Sequence, residues 1–475
     1  MARTILHGMN SSTRQTGWFR GPVAWLLLAA ALLRGAIIVA GSDNLARDPD
    51  AYRAMAEQWI STGSLAIDGR PSAYRPPLYP LLLGAWGKCF GLSPASVGVL
   101  QWILGVATVG LVLRVGKQWE DSSVVPCPPQ GGHVFVQANK EHAHDERGHG
   151  TRTLVSVSCI AAMLVAIDPI LLYQSTQVMT ETLATLLAVV ALLALGVAGR
   201  SGTARAGFLA GLSIAVATLC RPTFLSWGIL AALAFLLLPQ STSTAEVTNT
   251  TTAARRRWLP AIACLVGLVI GLSPWAIRNF IQLGRPIATT AHGGFTFLLA
   301  NNDDYFRHLQ SESWRKVWTS EALVARWQTE VERFGANDEL SRDRLSYQLA
   351  WDDIRQQPTA FAVACLVRFA RFWSVVPHQL ATDESAPRTA LRWSVGLGYA
   401  LEHVLMLLGI VVLMRTTPAS RCWLWGLLLM IAFTGAHLFY WTDMRMRAPV
   451  VPAECLFSAV GAVWLGARFA RRKPL

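Results

Sequence analysis

The chain has 475 residues, of which 52% are hydrophobic and only 15% are charged, which is more apolar surface than one soluble core can bury. This composition excludes an ordinary soluble protein and predicts a multi-pass membrane protein. The formal net charge of +13 does not indicate a nucleic-acid partner, because the basic residues stand in short clusters between apolar runs rather than on one face. The 8 cysteines include no CxxC pair, so neither a zinc site nor a disulfide framework is predicted.

Ten stretches are apolar and long enough to be predicted as membrane-crossing helices. They are residues 23–40, 96–114, 154–170, 178–198, 206–219, 224–238, 259–277, 391–414, 423–439 and 449–466. An eleventh apolar run, residues 76–91, is short, opens on two prolines and contains Lys88. If this run stays at the outer surface, every short basic cluster falls on one side of the membrane, as the positive-inside rule requires. We therefore expect a re-entrant or surface helix there, with both termini in the cytoplasm and the protein in the cytoplasmic membrane.

This topology predicts an all-α polytopic protein with three parts. An N-terminal transmembrane module, residues 1–277, contains the first outer loop, residues 41–95; an outer region follows at 278–388, and C-terminal transmembrane helices at 389–475. Amphipathic patterns at 321–334, 340–355 and 361–376 predict a small helical cap on the outer face.

Two inner loops, residues 118–151 and 240–254, are polar and of low complexity. The first contains His133, His142, His144 and His149, which are possible metal ligands, but we prefer the interpretation of a solvated loop.

The first outer loop places three carboxylates, Asp43, Asp48 and Asp50, directly after a span. Asp48 suits the N-cap of a helix whose first position is Pro49, and the apolar spacing from Tyr52 onward predicts a helix lying in the membrane interface. Asp48 is then either a structural cap or, through its second oxygen, a general base.

A second acidic site lies in DPILLYQSTQVMTETLATLL, where Asp168 and Glu181 bracket an outward turn. Glu181 is expected in the first turn of the following helix, where the helix dipole favours an anion. A carboxylate at the hydrocarbon boundary is costly unless it is paired or hydrated, so a functional role is the default expectation.

Arginines approach the same face from three stretches. Arg445 and Arg447, in TDMRMRAPVVP, break the positive-inside pattern just before the last span, where guanidinium groups and free backbone N–H groups favour a phosphate. Arg221, in LCRPT, and Arg278, in PWAIRNF, add two cations, and a glycine-rich turn follows at His292. Headgroup anchoring is the alternative for Arg445 and Arg447, and interfacial anchoring is the alternative for Arg278.

Six stretches, taken in order from about Asn44 to Pro452, resemble the GT-C glycosyltransferases. They are DPDAY, YRPPLYPLLLGAWGKCFG, DPILLYQSTQVMTETL, GFLAGLSIAVATLCRPT, PWAIRNFIQLGRPIATTAHGG and RMRAPVVP. The chain is most similar to the bacterial dolichyl-phosphate-mannose-protein mannosyltransferase-like and aminoarabinose-transferase-like membrane enzymes. It departs from that pattern in reading Asp-Pro where Asp-Glu is frequent, in its small outer cap and in its long first inner loop.

The resemblance implies a GT-C-like bundle of about ten helices and a residue-by-residue site. Asp48 with Tyr52 corresponds to the catalytic first-loop motif, and Glu181 to the acidic residue that opens the fourth span. Substrate binding is implied for the motif positions Tyr52, Arg75, Arg221, Arg278, His292, Arg445 and Arg447, of which Arg445 and Arg447 match the arginines that hold the lipid phosphate.

The implied activity is transfer of a sugar, with inversion, from a polyprenyl-phosphate donor to a hydroxyl of a lipid, glycan or protein acceptor. Asp48 is the expected base, with Glu181 as the alternative base or as a residue that orients the acceptor. No cofactor is required, although a divalent metal stays an open alternative. The rival class is a transporter or flippase for a lipid-linked or anionic substrate, and a third is a non-catalytic assembly partner.

Overall fold

The structure, a computed structural model, describes residues 21–67, 69–122, 156–237, 250–312, 316, 318–378, 384–416 and 422–470. Residues 1–20, the four loop histidines and most of the two polar inner loops predicted above lie outside these described residues. Within them, helices account for nearly all regular structure, together with one two-stranded hairpin. The prediction of an all-α polytopic membrane protein is therefore confirmed.

The chain up to residue 122 contains two long helices separated by an excursion of short elements. In order they are α1 (Pro22–Ala40), α2 (Ser42–Ala46), α3 (Tyr52–Thr62), the antiparallel strands β1 (Ala66–Ile67) and β2 (Arg70–Pro71), α4 (Leu78–Phe90) and α5 (Pro94–Ser122). The run predicted to stay at the surface is α4. Its 13 residues measure about 20 Å at 1.5 Å per residue. It packs against α3, with the Trp59 ring against Gly84.

The next six helices lie between α5 and the cap. They are α6 (Val157–Ile167), α7 (Pro169–Gln174), α8 (Glu181–Ser201), α9 (Ala204–Cys220), α10 (Phe224–Leu237) and α11 (Thr250–Leu283). Pro169 stands at the first position of α7 and its N-cap Asp168 accepts the backbone N–H of Leu171 at 2.8 Å, which explains the break after α6.

Five helices then form the cap, and three more complete the chain. The cap consists of α12 (Gly293–Ala300), α13 (Asp303–Ser311), α14 (Glu321–Arg333), α15 (Glu339–Gln356) and α16 (Pro358–Phe372). The last helices are α17 (Ala386–Thr416), α18 (Cys422–Phe439) and α19 (Val451–Ala470), with a 3₁₀ turn at Met444–Arg447 before α19. Helices therefore occur at all three amphipathic stretches predicted for the cap.

Seven of the described helices are long and apolar enough to span a membrane, namely α1, α5, α8, α11 from Trp258, α17, α18 and α19. The three remaining predicted spans are the shorter apolar helices α6, α9 and α10. Together they occupy the ten positions predicted from hydropathy.

Contacts between distant loops define two ends of the bundle. At one end Arg200 Nη1 lies 3.2 Å from Ser122 Oγ and 3.9 Å from Cys422 Sγ. At the other end Gly41, which ends α1, approaches Thr176, and Arg221, which ends α9, approaches Glu181, which begins α8. We call this second end, which carries residues 41–77 and the cap, the cap end.

Glycines allow the two closest helix pairs to meet backbone to backbone. A Cβ on Gly211 of α9 would lie 1.9 Å from the carbonyl oxygen of Cys264 on α11, and one on Gly409 of α17 would lie 1.9 Å from that of Phe457 on α19. In lipid, where apolar side chains gain little by leaving the solvent, such close approach is a main source of helix association. Small residues at these positions therefore determine how the bundle is assembled.

The cap is fastened to the bundle by a buried arginine. Arg368 of α16 donates to the carbonyl oxygens of Leu438 and Ala300, both at 2.6 Å, and to Asn301 Oδ1 at 3.1 Å. One side chain thus links α16, the end of α12 and the end of α18, and it holds the cap over the cap end.

Candidate functional site at the cap end

Asp48 lies in the turn that precedes α3. The predicted N-cap at Asp48 with Pro49 in the first helical position is wrong, because the helix begins at Tyr52 and its N-cap is Ala51, whose φ of 58° is left-handed. Asp48 still serves the helix from farther away, since its Oδ2 accepts the backbone N–H of Ala54 at 3.1 Å. Its Oδ1 is screened from solvent and has no hydrogen-bond partner. A buried carboxylate oxygen without a donor is unusual and needs an explanation.

The same turn brings Asp50 to Arg75, and their side chains form an ion pair of 2.8 Å. The Arg75 guanidinium also lies over the rings of Tyr52 and Tyr74, at 5.6 and 5.3 Å. Burial raises the pKa of Tyr52, with Arg75 opposing that shift. Tyr52 therefore stays a neutral phenol and packs its ring edge-on against Tyr79 at 5.2 Å.

Glu181 begins α8, as the dipole argument predicts, and it is nearly buried. Arg221, which follows the last residue of α9, holds its Nη1 3.1 Å from Glu181 Oε1. The other terminal nitrogen, Nη2, lies 2.7 Å from the sulfur of Met446. A thioether is a weak acceptor, so this N–H is poorly satisfied where it stands.

Arg445, on the 3₁₀ turn, also lies between a carboxylate and a methionine sulfur. Its Nε lies 3.2 Å from Asp443 Oδ2, while its Nη1 lies 2.9 Å from the sulfur of Met179. Burial by itself lowers the pKa of Arg445, but Asp443, Glu181 and Asp50 together raise it above its ordinary value. The negative charges of Glu181 and Asp50 therefore stabilise the charged form of Arg445.

The structure thus gathers residues from five separate stretches at one end of the bundle. Burial raises the pKa of Tyr79 well above its ordinary value, and Tyr52, Glu181 and Asp48 add to that shift. Asp48 lies two residues before Asp50, which pairs with Arg75. We call the charged members of this group the cap-end cluster: Asp48, Asp50, Arg75, Glu181, Arg221, Asp443 and Arg445.

Arg447 is only two residues from Arg445 but points into the bundle. Its side chain has no exposed surface and pairs with the buried Glu454, Nε to Oε1, at 3.3 Å. Nη1 lies 3.3 and 3.2 Å from the carbonyl oxygens of Phe372 and Ser374, and the guanidinium lies 4.9 Å from the centre of the Tyr399 ring. The structure therefore does not bring Arg447 into the cap-end cluster.

Tyr399 connects Arg447 to a second buried acid. Its hydroxyl donates to Asp168 Oδ2 at 2.9 Å, and Arg34 Nη1 donates to the nearby carbonyl oxygen of Leu171 at 3.0 Å. This buried network lies inside the bundle. Asp168, which bracketed the predicted turn together with Glu181, belongs to it.

The two other predicted binding residues lie around the outer hairpin. Arg278 donates to the carbonyl oxygens of Ser72 and Leu65 at 2.9 and 2.6 Å, so it holds the β1–β2 segment against α11. His292 packs its ring against Tyr74 at 4.2 Å. Burial, and then the positive charge of Arg75, lowers the pKa of His292 to about 3, so the imidazole is neutral at physiological pH.

Sequence reasoning missed Asp443, Met179 and Met446 as members of the site and did not assign Asp50 a partner. Asp443 had a readable signal, because it stands two residues before Arg445 in the TDMRMR motif. The two methionines had none, since only the fold places their sulfur atoms against arginines.

Within the part of the chain that the structure describes, no group of three or more His, Cys, Asp or Glu side chains is arranged to hold a metal ion. The charged chemistry of the cap-end cluster is carried by carboxylates and guanidinium groups.

Of the comparisons with known proteins, the one with solved structures gives matches. No protein family matches the sequence, and no curated protein matches it. Among solved structures, the chain is similar to ArnT from Cupriavidus metallidurans bound to undecaprenyl phosphate, with 14% identity, 94% of this chain and 77% of that chain covered, and a TM-score of 0.36. The apo state of the same ArnT gives 13% identity, 93% and 77% coverage, and a TM-score of 0.35. Both identities are below 25% and both TM-scores are below 0.5, so these likenesses assign neither a family nor a substrate or catalytic residue to this chain.

Proposed function

We propose that the protein is a membrane glycosyltransferase that moves a sugar from a polyprenyl-phosphate donor to an acceptor hydroxyl at the cap end of the bundle. The observation that carries the proposal is that Arg221 and Arg445 each direct a guanidinium N–H at a methionine sulfur, while Asp48, in the turn that brings Asp50 to Arg75, has a buried carboxylate oxygen without a donor. This is the donor and acceptor set that release of a phosphate and capture of a proton require. The resemblance to GT-C glycosyltransferases supports the same conclusion.

The phosphate of the donor would displace the two thioethers. A charge-assisted N–H to phosphate hydrogen bond is much stronger than a contact to sulfur, so the exchange is favourable at both arginines. The cap-end cluster has four carboxylates for three arginines, so its net charge does not attract an anion. Binding therefore depends on directed N–H donors, and these also stabilise the charge that grows on the departing phosphate.

Asp48 is the better candidate for the base. Glu181 is occupied by Arg221 and Asp50 by Arg75, whereas Asp48 Oδ1 has no donor. In the proposed step the acceptor oxygen attacks the anomeric carbon from the face opposite the phosphate. The new C–O bond forms as the bond to the phosphate oxygen breaks, the hydroxyl proton passes to Asp48, and the polyprenyl phosphate leaves with the bonding electrons. Glu181 then positions Arg221, and Arg447 supports the last helix from within.

The surroundings of the reaction follow from the topology. The charge bias of the loops supports a cap end on the outer face of the cytoplasmic membrane, with both termini in the cytoplasm. The partners are then the lipid-linked donor, membrane lipid and a lipid, glycan or protein acceptor, and no nucleic acid.

A transporter or flippase is the second candidate, and one observation favours it. The buried network of Arg34, Asp168, Arg447 and Glu454 puts charges inside the bundle, where transporters coordinate their substrates. In that network Arg447 pairs with Glu454 and Asp168 accepts from Tyr399, while Arg34 Nε and Arg447 Nη2 have no hydrogen-bond partner. The two arginines that each face a methionine sulfur are at the cap end.

The test uses purified protein in lipid nanodiscs and undecaprenyl phosphate as the probe. Native mass spectrometry should detect its binding, and Arg221→Ala or Arg445→Ala should weaken it about tenfold or more, since a hydrogen bond to a charged group contributes about 1.5–3 kcal/mol. Arg307→Ala is the matched control, because that arginine is exposed on α13.

The same preparation then separates the two candidates. With a lipid-linked sugar fraction and radiolabelled acceptor membranes, Asp48→Asn should abolish transfer while undecaprenyl phosphate still binds. Undiminished transfer by Asp48→Asn would remove the assigned base. Movement of lipid-linked sugar across liposomes with no transfer would identify a flippase instead.

A further inference from the structure

Four rings form a continuous line from the cap-end cluster to the cap. Tyr74 packs against His292 with ring centres 4.2 Å apart, His292 stacks on Phe295 at 5.9 Å, and Phe295 meets the Trp327 ring edge at 5.2 Å. The line starts at Arg75, whose guanidinium lies 5.3 Å from the Tyr74 ring centre. It ends on α14, in the cap.

A cleft of about 310 Å³ lies along this line. Tyr74, Phe295 and Trp327 contribute its aromatic wall, and Glu339 and Asp343 of α15 contribute carboxylates. A concave site with aromatic faces and a few placed polar groups has the composition of a small-molecule site. Neither Asp48 nor any of the arginines assigned above lines it.

Each carboxylate is held in place by one oxygen. Glu339 Oε2 accepts the backbone N–H of Ala73 at 3.0 Å, and Asp343 Oδ1 accepts that of Gly294 at 2.6 Å. An ionised carboxylate has capacity for about four donors, so both side chains are fixed yet keep acceptor capacity for a ligand. Burial raises the pKa of Asp343, with the Gly294 N–H opposing the shift.

We infer that the cleft binds a sugar ring of a glycan acceptor, uncharged or amino-bearing, and orients it toward the cap-end cluster. The inference rests on the proposed function, whose acceptor class it names. The C–H face of a pyranose is apolar and matches the negative face of an aromatic ring, while ring hydroxyls or an ammonium group match the carboxylates. The cleft has two carboxylates against one arginine, Arg342, and this balance disfavours phosphorylated sugars.

The position of Tyr74 links the cleft to the reaction. Its ring contacts both Arg75, which is paired with Asp50 in the cap-end cluster, and His292 in the aromatic line. A sugar that lies along the line therefore has one end at the cluster. No covalent step is added to the mechanism by this binding.

The test measures binding without any donor, so it does not depend on transfer. Saturation-transfer difference NMR on the full chain in nanodiscs would use methyl glucoside, glucosamine and glucose 6-phosphate as probes. Methyl glucoside and glucosamine should give signals, and glucose 6-phosphate should give a signal at least fivefold smaller. Trp327→Ala should reduce the first two signals at least fivefold, and Trp327→Phe, which keeps a ring, should recover much of the loss.

Controls make each outcome decisive. Trp351→Ala removes an exposed tryptophan of α15 that does not line the cleft, and it should leave the signals unchanged. Asp343→Asn should weaken the glucosamine signal more than the methyl glucoside signal. Equal signals from wild type and Trp327→Ala, or a stronger signal from glucose 6-phosphate, would overturn the inference. Asp48→Asn should bind the sugars normally, so loss of transfer in that variant is separable from loss of acceptor binding.

Discussion

Replacing Arg447 with methionine should destabilise the bundle by about 3–5 kcal/mol, the usual cost of removing one partner of a buried ion pair. The guanidinium lies 3.3 Å from Glu454 and neither side chain reaches solvent, so the substitution leaves a carboxylate buried without its cation. It also removes the donor to the carbonyl oxygens of Phe372 and Ser374. The loss is therefore one of folding, and we expect no direct loss of phosphate contacts.

The assay combines the midpoint of thermal unfolding in detergent, followed by fluorescence-detected size exclusion, with undecaprenyl phosphate binding. The double variant Arg447→Met/Glu454→Gln removes both charges and should recover most of the lost stability and bind the lipid. Arg445→Met, from the same 3₁₀ turn, should change the free energy of unfolding by about 1 kcal/mol or less and lose binding, because that side chain is one-third exposed. An unchanged midpoint together with lost lipid binding in Arg447→Met would refute the assignment of Arg447 to the bundle interior.

Two further predictions concern packing and pH. Gly211→Ala should cost about 1–3 kcal/mol by forcing α9 away from α11, whereas Gly398→Ala, whose new methyl group would meet no atom within 4 Å, should be neutral in the same melting assay. His292 has a pKa of about 3 in the folded protein against 6.5 when exposed. Between pH 6.5 and pH 3, His292 is therefore protonated in the unfolded chain but neutral in the folded protein. Stability should thus fall by about 2 kcal/mol from pH 7 to pH 5, and His292→Gln should flatten that decline. Equal pH slopes in the two proteins would show that His292 is not buried as described.

The positions of the ten apolar helices could be predicted, because they depend on hydropathy, which adds up along the chain. The surface location of α4 stays a prediction. Hydropathy over about 20 residues reports whether a segment can cross a bilayer, and the distribution of lysine and arginine decides between the alternatives for residues 76–91. The cap helices were also predictable, since each buries one face and shows it as a 3.6-residue period.

The partners of the charged residues were not predictable in this way. Arg445 and Arg447 look equivalent in the sequence, yet one side chain reaches Met179 on the loop before α8 and the other reaches Glu454 inside the bundle. The error at Asp48 is of the same kind, since Ala51 adopts a left-handed backbone that lets the turn carry Asp50 to Arg75.

By itself the sequence determined the class of the protein and the number and order of its apolar helices. It also indicated that charged residues without a topological role gather at one end of the bundle. These are consequences of transfer free energies, which each segment contributes nearly independently of the others. Only the tertiary structure decided which guanidinium is buried, which carboxylate oxygen is unpartnered, and which rings line the cleft beside α15. Those outcomes depend on the distance between side chains far apart in the chain, and that distance is set by how closely the glycine-bearing helices pack.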